Sequence, residues 1–153
     1  MKRTSLLIAT LAALAVALTA SASAAKGPTL TLRHQLRGCH SWSLNGGPFK
    51  VAQTVHLKRG QTLTVVDDDV MPHLLYRESG AKTFALRSVA SAQKNVKTDL
   101  KGPGLMAHMG ASLELTFKSK GVFVFGTKGG EDYTPNVKTI GEDNVLRLKI
   151  VVS

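Results

Sequence analysis

The sequence predicts an all-β domain, a sandwich or barrel of antiparallel strands, and three observations carry that prediction. Apolar residues recur with a period of two in several separate stretches. Those stretches are short, and glycine-containing turns join them. The chain of 153 residues, less its first two dozen, has the length of one domain built on one core.

Taken in order, Leu30, Leu32, His34 and Leu36 alternate with Thr31, Arg33, Gln35 and Arg37, which predicts a half-buried strand. Carried forward, that register puts His40 and Trp42 on the apolar side and Cys39 on the other. One strand from 30 to 44 would be unusually long, so a break or bulge is expected near Gly38. Val55 and Leu57 alternate with His56 and Lys58; Arg59-Gly60 marks a turn, and 61–66 resumes as strand. Leu113, Leu115 and Phe117 alternate with Glu114, Thr116 and Lys118, and Ser119-Lys120-Gly121 turns the chain into 122–125. Leu146, Leu148, Ile150 and Val152 form the last alternating run. Residues 84–100 are the least strand-like, with Ala85, Leu86, Val89, Ala90 and Val96 among polar residues. They fit a short helix or an irregular crossover.

The ends and the charge bound the setting. Lys2 and Arg3, the apolar run from Leu6 to Ala20 and the small residues Ala22-Ser23-Ala24 form a targeting pattern, with a cut expected after Ala24. This gives a signal peptide over 1–24 and a domain over 25–153, secreted or periplasmic, with no membrane-spanning segment left after cleavage. Without Lys2 and Arg3 the basic residues number 18 against 10 acidic ones, a net charge of +8. The basic residues are scattered and little aromatic interleaving accompanies them, which argues against nucleic acid. An acidic redox partner protein or an anionic cell-surface polymer fits the charge.

Cys39 is the sole cysteine, so in an oxidising compartment it has no intramolecular partner. A metal ligand, an intermolecular disulfide and an inert buried thiol are the readings open to it. Met71-Pro72-His73 follows Asp67-Asp68-Asp69, and Pro72 stiffens the backbone that presents His73. On an extended segment Met71 and His73 share a side. Met106-Ala107-His108-Met109 follows a Gly102-Pro103-Gly104 turn. There Met106 and His108 share a side and Met109 takes the other. Thioether with imidazole is a donor set for copper, above all Cu(I). The bland alternative is that the methionines fill the core and that Pro72-His73 only stops a strand. His34 and His56 read as a core residue and a solvated one, and the aspartate run reads as a charged strand-end turn.

Thr54 to Tyr76, TVHLKRGQTLTVVDDDVMPHLLY, is a strand, glycine turn and strand that lead through acidic residues to a Pro-His pair. It resembles the first half of a cupredoxin, the exported copper-protein family that includes plastocyanin and azurin. Ser119 to Thr127, SKGVFVFGT, is similar to that family's strand before its copper cysteine. The resemblance implies a Greek-key β-sandwich, His73 as the first copper histidine and a role as a non-enzymatic electron carrier. Thr127 stands where the family has cysteine, and Gly129-Gly130-Glu131-Asp132-Tyr133 holds no imidazole or sulfur donor. The usual blue site cannot be built from that loop. The expectation is therefore one copper ion, Cu(I) or Cu(II), held by His73, Cys39 and one or more of Met106, His108 and Met109, with Met71 and His40 in reserve. Electron transfer or copper handling follows; the alternative is a metal-free sandwich acting as a binding or adhesion module. No nucleophile-elbow serine or distinguishable carboxylate pair supports hydrolysis.

Overall fold

A computed structural model describes residues 27–34, 40–90, 98–130 and 146–153, and among these residues eleven strands form. The expected targeting segment and Cys39 lie outside the described residues. The strands are β1 (Thr29–His34), β2 (His40–Leu44), β3 (Phe49–Lys50), β4 (Ala52–Leu57), β5 (Thr62–Asp67) and β6 (His73–Ser79). They continue as β7 (Phe84–Ala90), β8 (Leu105–Met106), β9 (Ser112–Phe117), β10 (Gly121–Gly129) and β11 (Arg147–Val152). One sheet runs β3-β2-β1-β5-β9-β7 and the other β4-β11-β10-β6-β8.

The architecture is a β-sandwich, and it corrects the expectation in three respects. The sheets are mixed, because β1 lies parallel to β5 and β4 parallel to β11. Two separate sheets form in place of a closed barrel. Residues 84–90 are strand, not helix. Phe84 and Leu86 occupy alternate positions of β7, and pairing with β9 seats Phe84 5.8 Å from the Phe117 ring and 5.3 Å from that of Phe125. Residues 91–97, the rest of the expected helix, lie outside the described residues.

Each sheet turns one side of its alternation inward. Leu63 and Val65 of β5, Leu113, Leu115 and Phe117 of β9, and Leu30 and Leu32 of β1 line one wall. Phe123 and Phe125 of β10, Leu148 and Ile150 of β11, and Val55 and Leu57 of β4 line the other. Burying each such side chain contributes roughly 1.5–3 kcal/mol before the cost of ordering the chain. The turn at Arg59-Gly60 forms as expected: Gly60 has φ 82°, a conformation that favours glycine. Asn45 adopts φ 51° in the tight turn after β2.

Polar side chains replace apolar ones on the inward face at one end of the sandwich. That end gathers the close of β5, the start of β6, β8, the start of β9 and the close of β10.

Candidate metal centre

His73 opens β6 with a strand on each side: Gly129 of β10 is its partner on one side and Met106 of β8 on the other. Its approach is fixed locally. Pro72 supplies no amide hydrogen, and its carbonyl accepts a 2.8 Å hydrogen bond from the Gly130 N–H, which ties the end of β10 to the entry of β6. His73 is completely buried.

Two aspartates are buried with it. Asp67 ends β5 and Asp69 follows in the connection, at 0% and 3% exposure. Asp69 Oδ2 lies 3.5 Å, and Asp67 Oδ1 3.9 Å, from His73 Nε2. The carboxylates are themselves held, since the Asp69 amide donates to Asp67 Oδ1 at 3.0 Å and the Met71 amide to Asp69 Oδ1 at 3.3 Å. Asp68, between them, points outward to Arg33 at 3.6 Å. The reading of all three aspartates as a surface turn is thus corrected for Asp67 and Asp69. The overlooked signal was parity: Leu63, Val65, Asp67 and Asp69 continue one inward-facing series.

The methionines and His108 divide. Met71 is 4% exposed and stands apart from the contiguous apolar core, whereas Met106, wholly buried, belongs to it. His108 is 3% exposed in the turn before β9. That turn is fastened to β5, with Gly110 donating to the Asp67 carbonyl at 2.7 Å and Asp67 to the Ala111 carbonyl at 2.9 Å. His108 Nδ1 lies 2.8 Å from the Met109 carbonyl, an acceptor only, so Nδ1 carries the hydrogen and Nε2 the lone pair. Met109 is 51% exposed and faces away, as its parity with Met106 requires. Thr127, where the resembled family has cysteine, is fully buried, and its hydroxyl has no hydrogen-bond partner among the described residues.

Cys39 lies outside the described residues, as noted, and of His40 only the backbone register is described. Leu32 pairs with Asp67 in the parallel β1–β5 ladder, and His34 pairs with His40 where β1 ends and β2 begins. Both strands therefore meet at the His73 end of the sandwich. His56 is exposed on β4, as its alternation predicts.

Chemistry decides which ions these residues suit. Among the described residues, no group of three or more His, Cys, Asp or Glu side chains is arranged to hold a metal ion. Imidazole and thioether, both buried at this end of the sandwich, are donors that suit copper.

No protein-family model matches the chain, and no curated protein does. Solved structures similar to it include amicyanins. A reduced amicyanin variant shares 18% identity over 82% of each chain, with a TM-score of 0.41. A reduced Cu(I) form of another variant shares 12% over 83% of this chain and 82% of that one, at 0.42. Amicyanin from Paracoccus versutus shares 16% over 82% and 81%, at 0.38. The likeness to these copper-protein structures is one of fold alone, and the centre is read from this chain's own residues.

Proposed function

We propose that this chain is an exported, cupredoxin-like copper protein that works in electron transfer or copper handling and catalyses no turnover of its own. One observation carries the reading: His73, His108, Met71 and Met106 are all buried at one end of the sandwich. The proposed ligands are His73 and Cys39, completed by His108 and by Met71 or Met106. Met109, being exposed, and His40 are the weaker members of the set. Bound there, copper would supply one-electron chemistry, and the preformed sandwich would limit the rearrangement between its two oxidation states.

Residues 1–24 are proposed to direct export to the periplasm or the exterior. The net charge of +10, or +8 without Lys2 and Arg3, suits an acidic partner protein or an anionic envelope polymer. Among the described residues no helix is long and apolar enough to cross a membrane.

Anaerobic titration of the chain from residue 25 with Cu(I) and Cu(II), read by absorption and EPR, tests the proposal. One equivalent taken up, and lost in both Cys39→Ser and His73→Ala, is the expected result. A copper response no greater than that of a variant lacking all five histidines would end it.

A metal-free binding module is the second reading, and one feature favours it. An open recess of about 300 Å³ lies between β6, β7 and the 101–104 turn, lined mainly by Leu74, Phe84, Leu86, Pro103 and Phe125. Uptake of an apolar ligand without any copper response would select that reading.

A further inference from the structure

Two buried aspartates stand beside His73, within 4 Å of its ring nitrogen. Both oxygens that approach it, Asp69 Oδ2 at 3.5 Å and Asp67 Oδ1 at 3.9 Å, approach the same atom, Nε2. An ionised carboxylate accepts hydrogen bonds and donates none. The carboxylates therefore favour the neutral tautomer that carries its hydrogen on Nε2 and keeps its lone pair on Nδ1, although at these distances neither contact is a formed hydrogen bond. The carboxylates are not free to turn away, because the amides of Asp69 and Met71 hold one oxygen of each. Burial strengthens the effect, since all three side chains are at most 3% exposed and little solvent screens them.

We infer that Asp67 and Asp69 are positioning residues for His73. They fix its tautomer so that Nδ1 is the metal-binding nitrogen, and their negative charge weights the centre toward Cu(II) over Cu(I). The second half of this inference rests on the copper reading above; the first half does not. Carboxylates behind a ligand histidine orient the ring and raise its basicity, and losing such a partner typically costs about 10–100-fold in metal affinity. Here two carboxylates share one histidine. The higher oxidation state gains more from nearby negative charge, so their loss weakens Cu(II) binding more than Cu(I) binding. His108 is held the opposite way, through Nδ1 to a backbone carbonyl, and would bind through Nε2.

Two measurements decide the inference. The first is the ¹⁵N shifts of the His73 ring in the metal-free wild-type chain from residue 25, at neutral pH. A protonated Nε2 with an unprotonated Nδ1 is expected; a hydrogen on Nδ1, alone or with one on Nε2, overturns the assignment. The second is the ratio of Cu(II) to Cu(I) affinity in Asp67→Asn and Asp69→Asn, with thermal melting to show that each variant is folded. Cu(II) affinity is expected to fall by about 10–100-fold and Cu(I) affinity by less, so that the ratio falls. That fall raises the reduction potential by about 59 mV per tenfold for this one-electron couple. An unchanged ratio in folded Asp69→Asn overturns the weighting, and Asp69→Asn alone suffices if Asp67→Asn does not fold. The ring measurement needs no metal. A wild-type protein that shows the expected tautomer but takes up no copper therefore defeats the copper reading and leaves the aspartates' hold on His73 standing.

Discussion

At the scale of single residues, burial separates methionines that the sequence treats alike. Met71 is enclosed yet stands outside the apolar core, Met106 is enclosed within it, and Met109 is exposed. Leucine nearly matches methionine in volume, so Met71→Leu and Met106→Leu should each cost less than about 1.5 kcal/mol of folding stability. A variant whose Cu(I) affinity falls at least tenfold without a matching fall in melting temperature has lost a ligand. Met109→Leu is expected to change neither quantity. Parity in the sequence does separate Met109 from Met106, and the exposure of the one and burial of the other follow it. The inward turn of Asp67 and Asp69 was not legible, because a run of three aspartates reads as solvent-loving whatever its phase. The amides of Asp69 and Met71 and the neighbouring imidazole together make burying the first and third tolerable.

At the scale of elements, the two-residue strand β8 depends on one glycine. A Cβ on Gly104 would stand 2.1 Å from the Leu75 carbonyl oxygen, a backbone atom that cannot step aside. The Leu75 amide also donates to the Gly104 carbonyl at 2.9 Å. Gly104→Ala should therefore pry β8 from β6, at a cost of roughly 1–3 kcal/mol. It should weaken copper uptake as well, because Met106 rides on that strand; chemical denaturation and titration of the same sample would show both. Strands β5, β9 and β11 could be read from alternation alone. Strand β7 could not, for Ala85, Ser88 and Ala90 blur its period, and its identity comes from the aromatic contacts of Phe84 with Phe117 and Phe125. Tyr76 on β6 supplies a pH-dependent element. Burial, then the charge of Glu78 and its hydrogen bond, raise the phenol above its usual 10.0, against a smaller pull downward from Arg147. A pKa raised on folding gives stability that is complete below the unfolded value and lost as pH climbs through the folded one. Tyr76→Phe should accordingly flatten the alkaline limb of the stability curve above pH about 10, measured as melting temperature against pH.

At the scale of the whole molecule, twice as many basic as acidic residues, 20 against 10, give the surface a long-range field. Association with an acidic partner should slow steeply as ionic strength rises from about 0.01 to 0.15 M, where the screening length shrinks from roughly 30 to 8 Å. Stopped-flow mixing over a salt series would check this, and a flat response would mean that contact is made through uncharged surface. The sandwich class was legible from periodicity because each strand declares its own inward side. The mixed sheets were not, since whether β1 lies beside β2 alone or also runs parallel to β5 depends on contacts 35 residues apart, as between Leu32 and Asp67. The candidate donors among the described residues share that character: 71–73 and 106–108 are neighbours only once β6 and β8 have paired. An unstructured chain in transit has nothing resembling this cluster. Assembly of the sandwich must come first and capture of an ion second, so refolding should begin at the same rate whether or not copper is in the buffer.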